Sequence, residues 1–552
     1  MIREQCAAMR ISREDNLAVA LRDLSIGEAI EVGGQSIIVA ENISAKHKLA
    51  IRDFAPGDVA TMYGVMVGEA RESVAAGGLL TTENLVHRSS GFGEKTGSVD
   101  WVPPEVSKWS ETKFQGFHRS NGEVGTANHW IFLPMVFCEE GNLALLREAF
   151  TKTLGYESRQ RYHAFASSLA DACRQGADEA ALSQVSFPEE EAAAGTRLFP
   201  QVDGVKFLFH GMGCGETRAV SEELCGLLAG YVNHPNVAGA TVLSLGCQHA
   251  QVSILEDELA KRNPHFDKPL LVYEQQKHES ERDMLENAIR KTFVELGKAN
   301  ELKREPASLS KLTLGMECGA SDGFSGISSN PVLGRVADLT VALGGRVILS
   351  EFPELCGVEQ ELVNRCVTPE LGRRFAEIMR NYEARAKEAG SGFHMNPSPG
   401  NVKDGLITDA IKSAGAARKA GTSPIIDVLD YPGWVTKPGL SLLCTAGNDV
   451  ESTTAMAGAG ANLQLFSTGL GTPTGNPVSP IVKVSSNSAI FENFSQYVDF
   501  DAGPVIAGEN GVDELGDQLF EQVIAYASGD SIPKAVLHGR DDFLPWKRGI
   551  SL

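Results

Sequence analysis

The sequence has few basic residues for its acidic content and contains no long apolar run. Its 552 residues include 50 Lys and Arg against 71 Asp and Glu, a formal charge of −21. Because proteins bind phosphate backbones through Lys and Arg, this balance argues against a nucleic-acid partner. No segment reaches the roughly 18 apolar residues that span a bilayer, and no signal-peptide pattern opens the chain. We therefore expect a cytoplasmic protein without a membrane partner.

Nucleotide-binding and zinc-finger motifs are also missing. The 57 glycines lack the GxGxxG or GxxxxGK[ST] spacing that holds phosphates, which disfavours a nucleotide site. The ten cysteines form no CxxC pair. In a reducing compartment, metal binding or catalysis is a better use of them than disulfides. The high glycine content and the 7% aromatic content are typical of an α/β enzyme.

Length and patterning divide the chain into three parts. Residues 1–88 alternate short strand patterns with polar turns, which predicts a small β-rich module. Residues 89–115 are punctuated by Gly, Ser and Pro and predict a linker. Strand and helix patterns alternate in 116–304 and 305–552, which predicts a doubly wound parallel α/β middle domain and an α/β C-terminal domain. An Ala- and Glu-rich stretch, about 157–196, predicts a helical surface insertion.

Four apolar, strand-like runs end at or near a cysteine. Cys214 and Cys247 follow a glycine after such a run, and Cys138 ends a run without the glycine. Cys318 lies where the run from Leu312 is expected to open into a glycine-rich loop. Ligands of α/β sheets collect at the carboxyl ends of strands, so we predict that the four thiols form one site. The alternative is that they are buried structural residues.

The loop after Cys318 concentrates polar side chains that suit a ligand. It carries Ser321, Asp322, Ser325 and Asn330 among glycines, which let a ligand approach the backbone closely. A structural turn is the alternative interpretation. The acidic residues around Cys356 are interpreted instead as a solvated loop face: Glu351, Glu354 and Glu359.

His47 lies between two cations, Lys46 and Lys48. Neighbouring positive charge disfavours a protonated imidazole, which leaves a ring nitrogen free to act as a base or a metal ligand. A basic surface turn is the alternative.

Short motifs recur in one order along nearly the whole chain. They are Lys46-His47-Lys48-Leu49-Ala50, Tyr63-Gly64, Gly122-Glu123-Val124-Gly125-Thr126, Gly213-Cys214, His234-Pro235-Asn236, Leu245-Gly246-Cys247, the loop 317–331, Asn396-Pro397-Ser398-Pro399-Gly400-Asn401, Phe466-Ser467-Thr468-Gly469 and Gly471-Thr472-Pro473. Together they resemble the altronate/galactarate dehydratase family of sugar-acid dehydratases. The resemblance implies an N-terminal SAF-type domain and a hydro-lyase that converts an aldonate or aldarate to a 2-keto-3-deoxy acid.

The resemblance also implies a divalent metal. Fe2+ is the preferred ion, and Mn2+ or an iron–sulfur cluster is the alternative. We expect a small anionic sugar-acid substrate and a homodimer. In the implied reaction a base removes the C2 proton, an acid assists the departing C3 hydroxyl, and a Lewis acid stabilises the enediolate. The catalytic candidates are His47, Lys48, Tyr63 and Asp322. The candidate metal ligands are His47, Cys138, Cys214, Cys247 and Cys318. The candidate substrate contacts are Asn128, Ser321, Ser325, Asn330, Asn396, Asn401, Lys403, Thr468 and Thr472.

Three positions depart from the family pattern. Ala127 stands where a basic residue is common, Gln248 where glutamate is usual, and Leu470 where the family has arginine. Loss of a guanidinium changes which acid can be held, so the resemblance does not identify altronate or galactarate as the substrate. The alternatives are a lyase that expels another group, such as sulfite from sulfolactate, and a non-catalytic sugar-acid-binding homologue.

Overall fold

The chain is a mixed α/β protein in which short antiparallel strands come first and parallel sheets covered by helices follow. The computed structural model describes residues 6–157, 160–188 and 196–549. This order confirms the predicted fold class, with a small β-rich module ahead of two α/β parts. Within the described ranges, no helix combines the length and apolar character that a membrane span requires.

Nine short strands build the N-terminal module. Ile30 and Val32 are buried in one of them while Glu31 between them is exposed, the period-2 pattern of a half-buried strand. The strands are β1 (Ala8–Met9), β2 (Leu17–Ala20), β3 (Ala29–Val32), β4 (Gln35–Ile38), β5 (Lys48–Ala50), β6 (Val59–Met62), β7 (Val65–Ala70), β8 (Leu79–Leu80) and β9 (Leu85–Val86). They form antiparallel sheets in the orders β1-β2-β5-β8, β3-β4 and β6-β7-β9.

The middle part is built on a four-stranded parallel sheet. Its elements are β10 (Lys113–His118), β11 (Val124–Gly125), β12 (His129–Pro134), α1 (Glu140–Leu154), α2 (Gln160–Arg174), α3 (Glu179–Ser183), β13 (Gly204–Phe207), α4 (Arg218–Asn233), β14 (Val237–Ser244), α5 (Val252–Arg262), β15 (Leu270–Glu274) and α6 (Glu281–Ala299). The strand order is β13-β12-β14-β15. Trp130 and Phe132 face α1 and α6, whereas Ile131 and Leu133 face α4 and α5, so helices cover both sides.

The C-terminal part is built on a seven-stranded parallel sheet. Its elements are β16 (Glu305–Ser308), β17 (Thr313–Gly319), α7 (Ser329–Ala342), β18 (Arg346–Leu349), α8 (Glu359–Arg365), α9 (Pro369–Glu388), α10 (Pro399–Lys403), α11 (Asp409–Ala416), β19 (Ile425–Leu429), β20 (Gly439–Leu443), α12 (Asp449–Gly458), β21 (Leu463–Thr468), β22 (Ile481–Ser485), α13 (Ser488–Asn493), β23 (Phe500–Asp501), α14 (Pro504–Ala507), α15 (Val512–Ser528) and α16 (Lys534–Leu537). The order is β19-β20-β18-β17-β21-β22-β23, and β16 pairs instead with β10 of the middle part.

Strand β17 is longer than the sequence pattern predicts. It continues through Gly319 with every residue buried, so Cys318 lies inside a strand rather than in a loop. The prediction of a loop opening after Leu314 is therefore wrong. Pairing with β18 extends to Met316 and pairing with β21 extends to Gly319, and a local sequence pattern does not reveal this pairing.

Helices α2 and α3 lie within the predicted insertion, about 157–196, and are largely exposed. Residues 158–159 and 189–195 of this stretch lie outside the described residues.

An apolar cluster joins the N-terminal module to the C-terminal domain. Met62 and Val67 of the module are buried against Phe324, Ile327 and Ile411. The turn before β5 and the turn after β6 therefore reach the carboxyl end of β17.

Candidate active site

The turn that follows β17 holds a buried carboxylate, Asp322, which is wholly inaccessible to solvent. Its Oδ1 accepts hydrogen bonds from the Ser325 backbone N–H (2.9 Å), the Ser325 hydroxyl (2.9 Å) and the Ser486 hydroxyl (2.8 Å). Its Oδ2 lies 3.1 Å from the Lys46 Nζ. These donors fix the orientation of the carboxylate. Gly469 allows the close packing, since a Cβ there would lie 2.4 Å from the Asp322 carboxyl carbon.

Lysines from the N-terminal module surround this carboxylate. Besides Asp322, the Lys46 Nζ lies 3.3 Å from an oxygen of Asp404. The Lys48 Nζ donates to the carbonyls of Lys46 (3.0 Å) and Gly405 (2.7 Å). Burial lowers the pKa of Lys48 to about 7, with the charge of Asp322 opposing the shift. A lysine with a pKa near neutrality is suited to exchange protons with a substrate.

Tyr63 reaches the same place from the turn after β6, where its φ is 59°. Its hydroxyl lies against Gly326, where a Cβ would come within 2.2 Å of it. Burial raises the pKa of Tyr63, so the hydroxyl stays protonated and can donate. The guanidinium of Arg418 lies 5.1 Å from the centre of the ring.

Tyr63 and Asp322 line one small cavity between the two parts of the chain. Its volume is about 10 Å³, the room that a single water needs. Its other polar lining comes from Cys318, Ser321, Ser325, Asn330 and Lys412. A larger ligand therefore requires the walls to move apart.

A cluster of buried carboxylates lies at the carboxyl ends of the neighbouring strands. One oxygen each of Glu317, Glu351 and Asp449 lie within 4.8 Å of one another. The Glu317 Oε2 accepts a 2.7 Å hydrogen bond from the Ser452 hydroxyl, and the Glu351 Oε2 accepts one of 2.6 Å from the Lys419 Nζ. The Oε1 atoms of both glutamates are buried and receive no hydrogen bond from a donor group among the described residues. The two carboxyl groups are within hydrogen-bond reach of each other, so either a shared proton or a cation satisfies them.

The carboxylate cluster carries an excess of negative charge. A further carboxylate, Glu354, pairs with the Lys412 Nζ at 2.7 Å, so four acids face two ammonium groups and two negative charges remain in excess when all are ionised. Burial raises the pKa of Asp449 to about 7, with a contribution from the charge of Glu351. Burial and Glu351 likewise raise the pKa of Glu317. A divalent cation with oxygen ligands fits this arrangement.

The structure brings most of the predicted loop residues together but uses their polar atoms in protein contacts. The Ser321 hydroxyl lies 2.8 Å from the Cys318 sulfur, and Asn330 donates to the Gly415 carbonyl (3.0 Å). Asn401 donates to the Ser321 carbonyl (2.8 Å).

Five other predicted residues lie around or away from this core. Asn396 accepts a 2.6 Å hydrogen bond from Lys412. Thr468 accepts a hydrogen bond from the Gly471 backbone N–H. The hydroxyl of Thr472 is hydrogen-bonded to that of Thr474. Lys403 is exposed. His47 is half-buried, with its Nδ1 3.2 Å from the Ala45 carbonyl, and it is not part of the cavity lining.

The prediction of one site built from four thiols is wrong in this structure. Among the described residues, none of these cysteines belongs to a set of three or more potential ligands with donor atoms within 4.8 Å of one another. Cys138 and Cys247 are exposed in the middle domain, whereas Cys318 is buried in the C-terminal sheet. Strand ends of two separate sheets do not share an edge.

Asn128 has no access to the cavity, contrary to the prediction that it contacts substrate. It is wholly buried in the middle domain, and its amide donates to the carbonyls of Gln201 and Ala299 and accepts from Arg119. These hydrogen bonds of the Asn128 amide link separate segments of the chain.

The prediction that the acidic residues around Cys356 form a solvated loop face is also wrong. Glu351, Glu354 and Glu359 are all at least 96% buried.

The sequence analysis missed the acids and lysines of the carboxylate cluster. One signal was available, because Lys412 and Lys419 are cations in a run of alanine, glycine and isoleucine that otherwise reads as a buried helix. A lysine in such a run needs a buried acidic partner.

Three family models match the chain in the order of its parts. They are described as Altronate/galactarate dehydratase SAF domain, over residues 6–88; D-galactarate dehydratase/Altronate hydrolase, second domain, over 116–300; and D-galactarate/Altronate dehydratase, C-terminal, over 309–551. Altronate dehydratase of Escherichia coli strain K12 is 31% identical over 552 residues, 99% of each chain. Altronate dehydratase of Bacillus subtilis strain 168 is 30% identical over 549 residues, again 99% of each. The (2R)-sulfolactate sulfo-lyase subunit beta of Chromohalobacter salexigens is 32% identical over 246 residues, 44% of this chain and 63% of that protein.

Proposed function

The chain belongs to the altronate/galactarate dehydratase family, as its motifs predict, and on that premise we propose that it is a hydro-lyase that dehydrates an aldonate or aldarate to a 2-keto-3-deoxy acid. The observation that carries the proposal is the meeting of Lys48, Tyr63 and Asp322, from two parts of the chain, next to a buried carboxylate cluster.

We assign the divalent metal to Glu317, Glu351 and Asp449. The preferred ion is Fe2+, and Mn2+ is the alternative. The two unpartnered glutamate oxygens and the excess negative charge support this assignment. Carboxylate oxygens suit single divalent ions and do not suit an iron–sulfur cluster, which thiolates hold. A bound ion supplies Lewis acidity toward the substrate carboxylate.

Tyr63, in the cavity lining, and the buried Lys48, on which the charge of Asp322 acts, supply the proton transfers. Lys48 in its neutral form removes the C2 proton, and the Tyr63 hydroxyl donates a proton to the C3 hydroxyl, which leaves as water. The resulting enol becomes the 2-keto acid when C3 takes up a proton and the C2 hydroxyl releases one, so the tautomerisation consumes no net proton. Asp322 anchors Lys46 and is not assigned a proton transfer, because its oxygens already accept hydrogen bonds from several donors.

Lys412 is the group we expect to bind the substrate carboxylate. It lines the cavity and is held by Glu354 and Asn396, so it joins the proton-transfer residues to the carboxylate cluster. His47 remains the alternative base, since it is half-buried and lies between Lys46 and Lys48 in the chain. Because the cavity holds about one water, we propose that substrate entry separates the N-terminal module from the turn at Asp322.

A second function is favoured by the similarity to the sulfolactate sulfo-lyase subunit. Loss of sulfite from C3 after removal of the C2 proton uses the same enolisation. The experiment is anaerobic purification, loading with Fe2+ or Mn2+, and a screen of aldonic acids, aldaric acids and sulfolactate. A 2-keto-3-deoxy product supports the dehydratase, released sulfite supports the second function, and binding without turnover of any of these acids contradicts both. A cytoplasmic location and a homodimer remain predictions from the sequence.

A further inference from the structure

A second group of metal-ligating side chains lies apart from the carboxylate cluster, where the N-terminal module ends. His87 follows β9, Cys356 follows the short 3-10 turn Phe352–Leu355, and Asp409 is the first residue of α11. One donor atom of each lies within 4.8 Å of the others. Three remote segments thus bring a nitrogen, a sulfur and an oxygen donor together.

The carboxylate of this group has no partner. Asp409 is 7% exposed, and its side chain accepts no hydrogen bond and forms no ion pair within the described part of the chain. Its oxygens are not among the fully buried unpartnered atoms of the described ranges, so they reach solvent and are free to bind a cation.

The surroundings are acidic and offer no compensating cation. Burial raises the pKa of the Cys356 thiol, and the charges of Glu359, Asp409 and Glu383 raise it further. Burial also raises the pKa of Glu359 to about 7. Lysines balance the carboxylates of the proposed catalytic cluster, whereas the largest charge effects on this thiol come from acids.

The imidazole is accessible from solvent and partly oriented. The Ala410 backbone N–H, next to Asp409 in α11, donates to the His87 Nδ1 over a long 3.4 Å, and a cation that binds this nitrogen displaces that contact. His87 is exposed, so an ion can reach the group without an opening of the core. Imidazole and thiolate together select borderline cations over Mg2+ and Ca2+.

We propose that His87, Cys356 and Asp409 bind one zinc-class divalent cation, with water in the remaining position. The ion ties the end of the N-terminal module to two segments of the C-terminal domain. One segment carries Glu354 and the other carries Lys412, which form an ion pair at the proposed active site. Thr408, the residue before α11, also donates to the Val67 carbonyl of the module at 2.8 Å. The ion therefore stabilises the docking of the module and is not part of the reaction.

The test uses Co2+ as a probe on chelator-treated full-length protein. A cobalt–thiolate bond gives a near-ultraviolet charge-transfer band that an all-oxygen site cannot give. We expect the band to saturate at one Co2+ per chain, to disappear when Zn2+ is added, and to be absent in Cys356→Ser. His87→Gln changes an exposed residue and should weaken binding without unfolding the protein. Cys138→Ser, an exposed thiol outside the group, is the matched control and should keep the band.

Several results would overturn the proposal: no thiolate band in the wild-type protein, a band that persists in Cys356→Ser, or a band that is lost in Cys138→Ser. Zn2+ should also raise the unfolding temperature of the wild-type protein by more than that of His87→Gln, which keeps only the carboxylate cluster. An equal rise in both proteins contradicts the site. None of these measurements depends on turnover, so their outcomes are independent of the dehydratase proposal.

Discussion

The Lys46 ammonium lies 3.1 Å from the Asp322 carboxylate, and this ion pair joins the N-terminal module to the C-terminal domain. The lysine comes from the turn before β5 and the aspartate from the turn after β17. The pair forms only when the module is docked, so catalysis by groups of the module depends on this contact.

We expect Lys46→Met to reduce both activity and stability. Removing one partner leaves Asp322 buried without its ammonium group, which costs about 3 kcal/mol in the free energy of unfolding. Urea unfolding of Lys46→Met, Asp322→Asn and the double variant measures the coupling. Lys403→Met, at an exposed lysine, is the control and should behave like wild type. Additive effects of the two single substitutions would rule out the ion pair as a joint contact.

Lys48 should give the pH profile of kcat/KM an acidic limb with an apparent pKa near 7. The pKa of Lys48 is lowered to about 7 by burial, and only the neutral amine can accept the C2 proton, so activity rises as pH rises through that value. We expect Lys48→Met to lose at least about 100-fold in kcat, and His47→Ala to lose less. The reverse order would make His47 the base.

The same lysine should make stability depend on pH. Its pKa is lower in the folded protein than in the unfolded chain, so the unfolded chain binds more protons between about pH 7 and 10.4. The contribution of Lys48 to the free energy of unfolding therefore increases as pH rises through this window. Between pH 7 and pH 9, the free energy of unfolding of wild type should increase relative to that of Lys48→Met. A pH-independent difference contradicts the lowered pKa.

Tyr63→Phe should lower kcat by about 100- to 10,000-fold, the usual contribution of a general acid. The substitution removes only the hydroxyl, which lines the cavity, so the fold should persist. Tyr156→Phe is the matched control because its hydroxyl donates to the Phe199 and Val202 carbonyls in the middle domain. It should lower the unfolding temperature and leave kcat unchanged. Wild-type kcat in Tyr63→Phe would remove this residue from the mechanism.

Glu317→Gln should abolish stabilisation by Fe2+ or Mn2+. In the wild-type protein a bound ion raises the unfolding temperature, whereas the variant loses one ligand while keeping a group that can bond to Ser452. Without metal, the variant should be at least as stable as wild type, because one repelling charge is gone. Cys247→Ser should retain the full metal response. If Cys247→Ser loses the metal response and Glu317→Gln keeps it, the metal binds at the thiol site that the sequence predicts.

Local sequence was enough for the architecture. Apolar alternation in strands such as Ala29–Val32, and helical spacing in Val512–Ser528, are properties of neighbouring residues and do not depend on remote contacts. Asp322 could be found in the same way, because a polar residue in a glycine-rich turn after a strand is typical of ligand sites. The ordered motifs identified the family.

Tertiary structure alone decided which charged groups are buried and which meet. Glu351 and Glu354 read as solvated acids because their lysine partners, Lys412 and Lys419, lie remote in sequence, on α11 and in the turn after it. Conversely, Cys138 and Cys318 both end strand patterns but belong to different sheets. Desolvation and charge pairing depend on long-range packing, and no local pattern records them, so the carboxylate cluster became visible only in the folded chain.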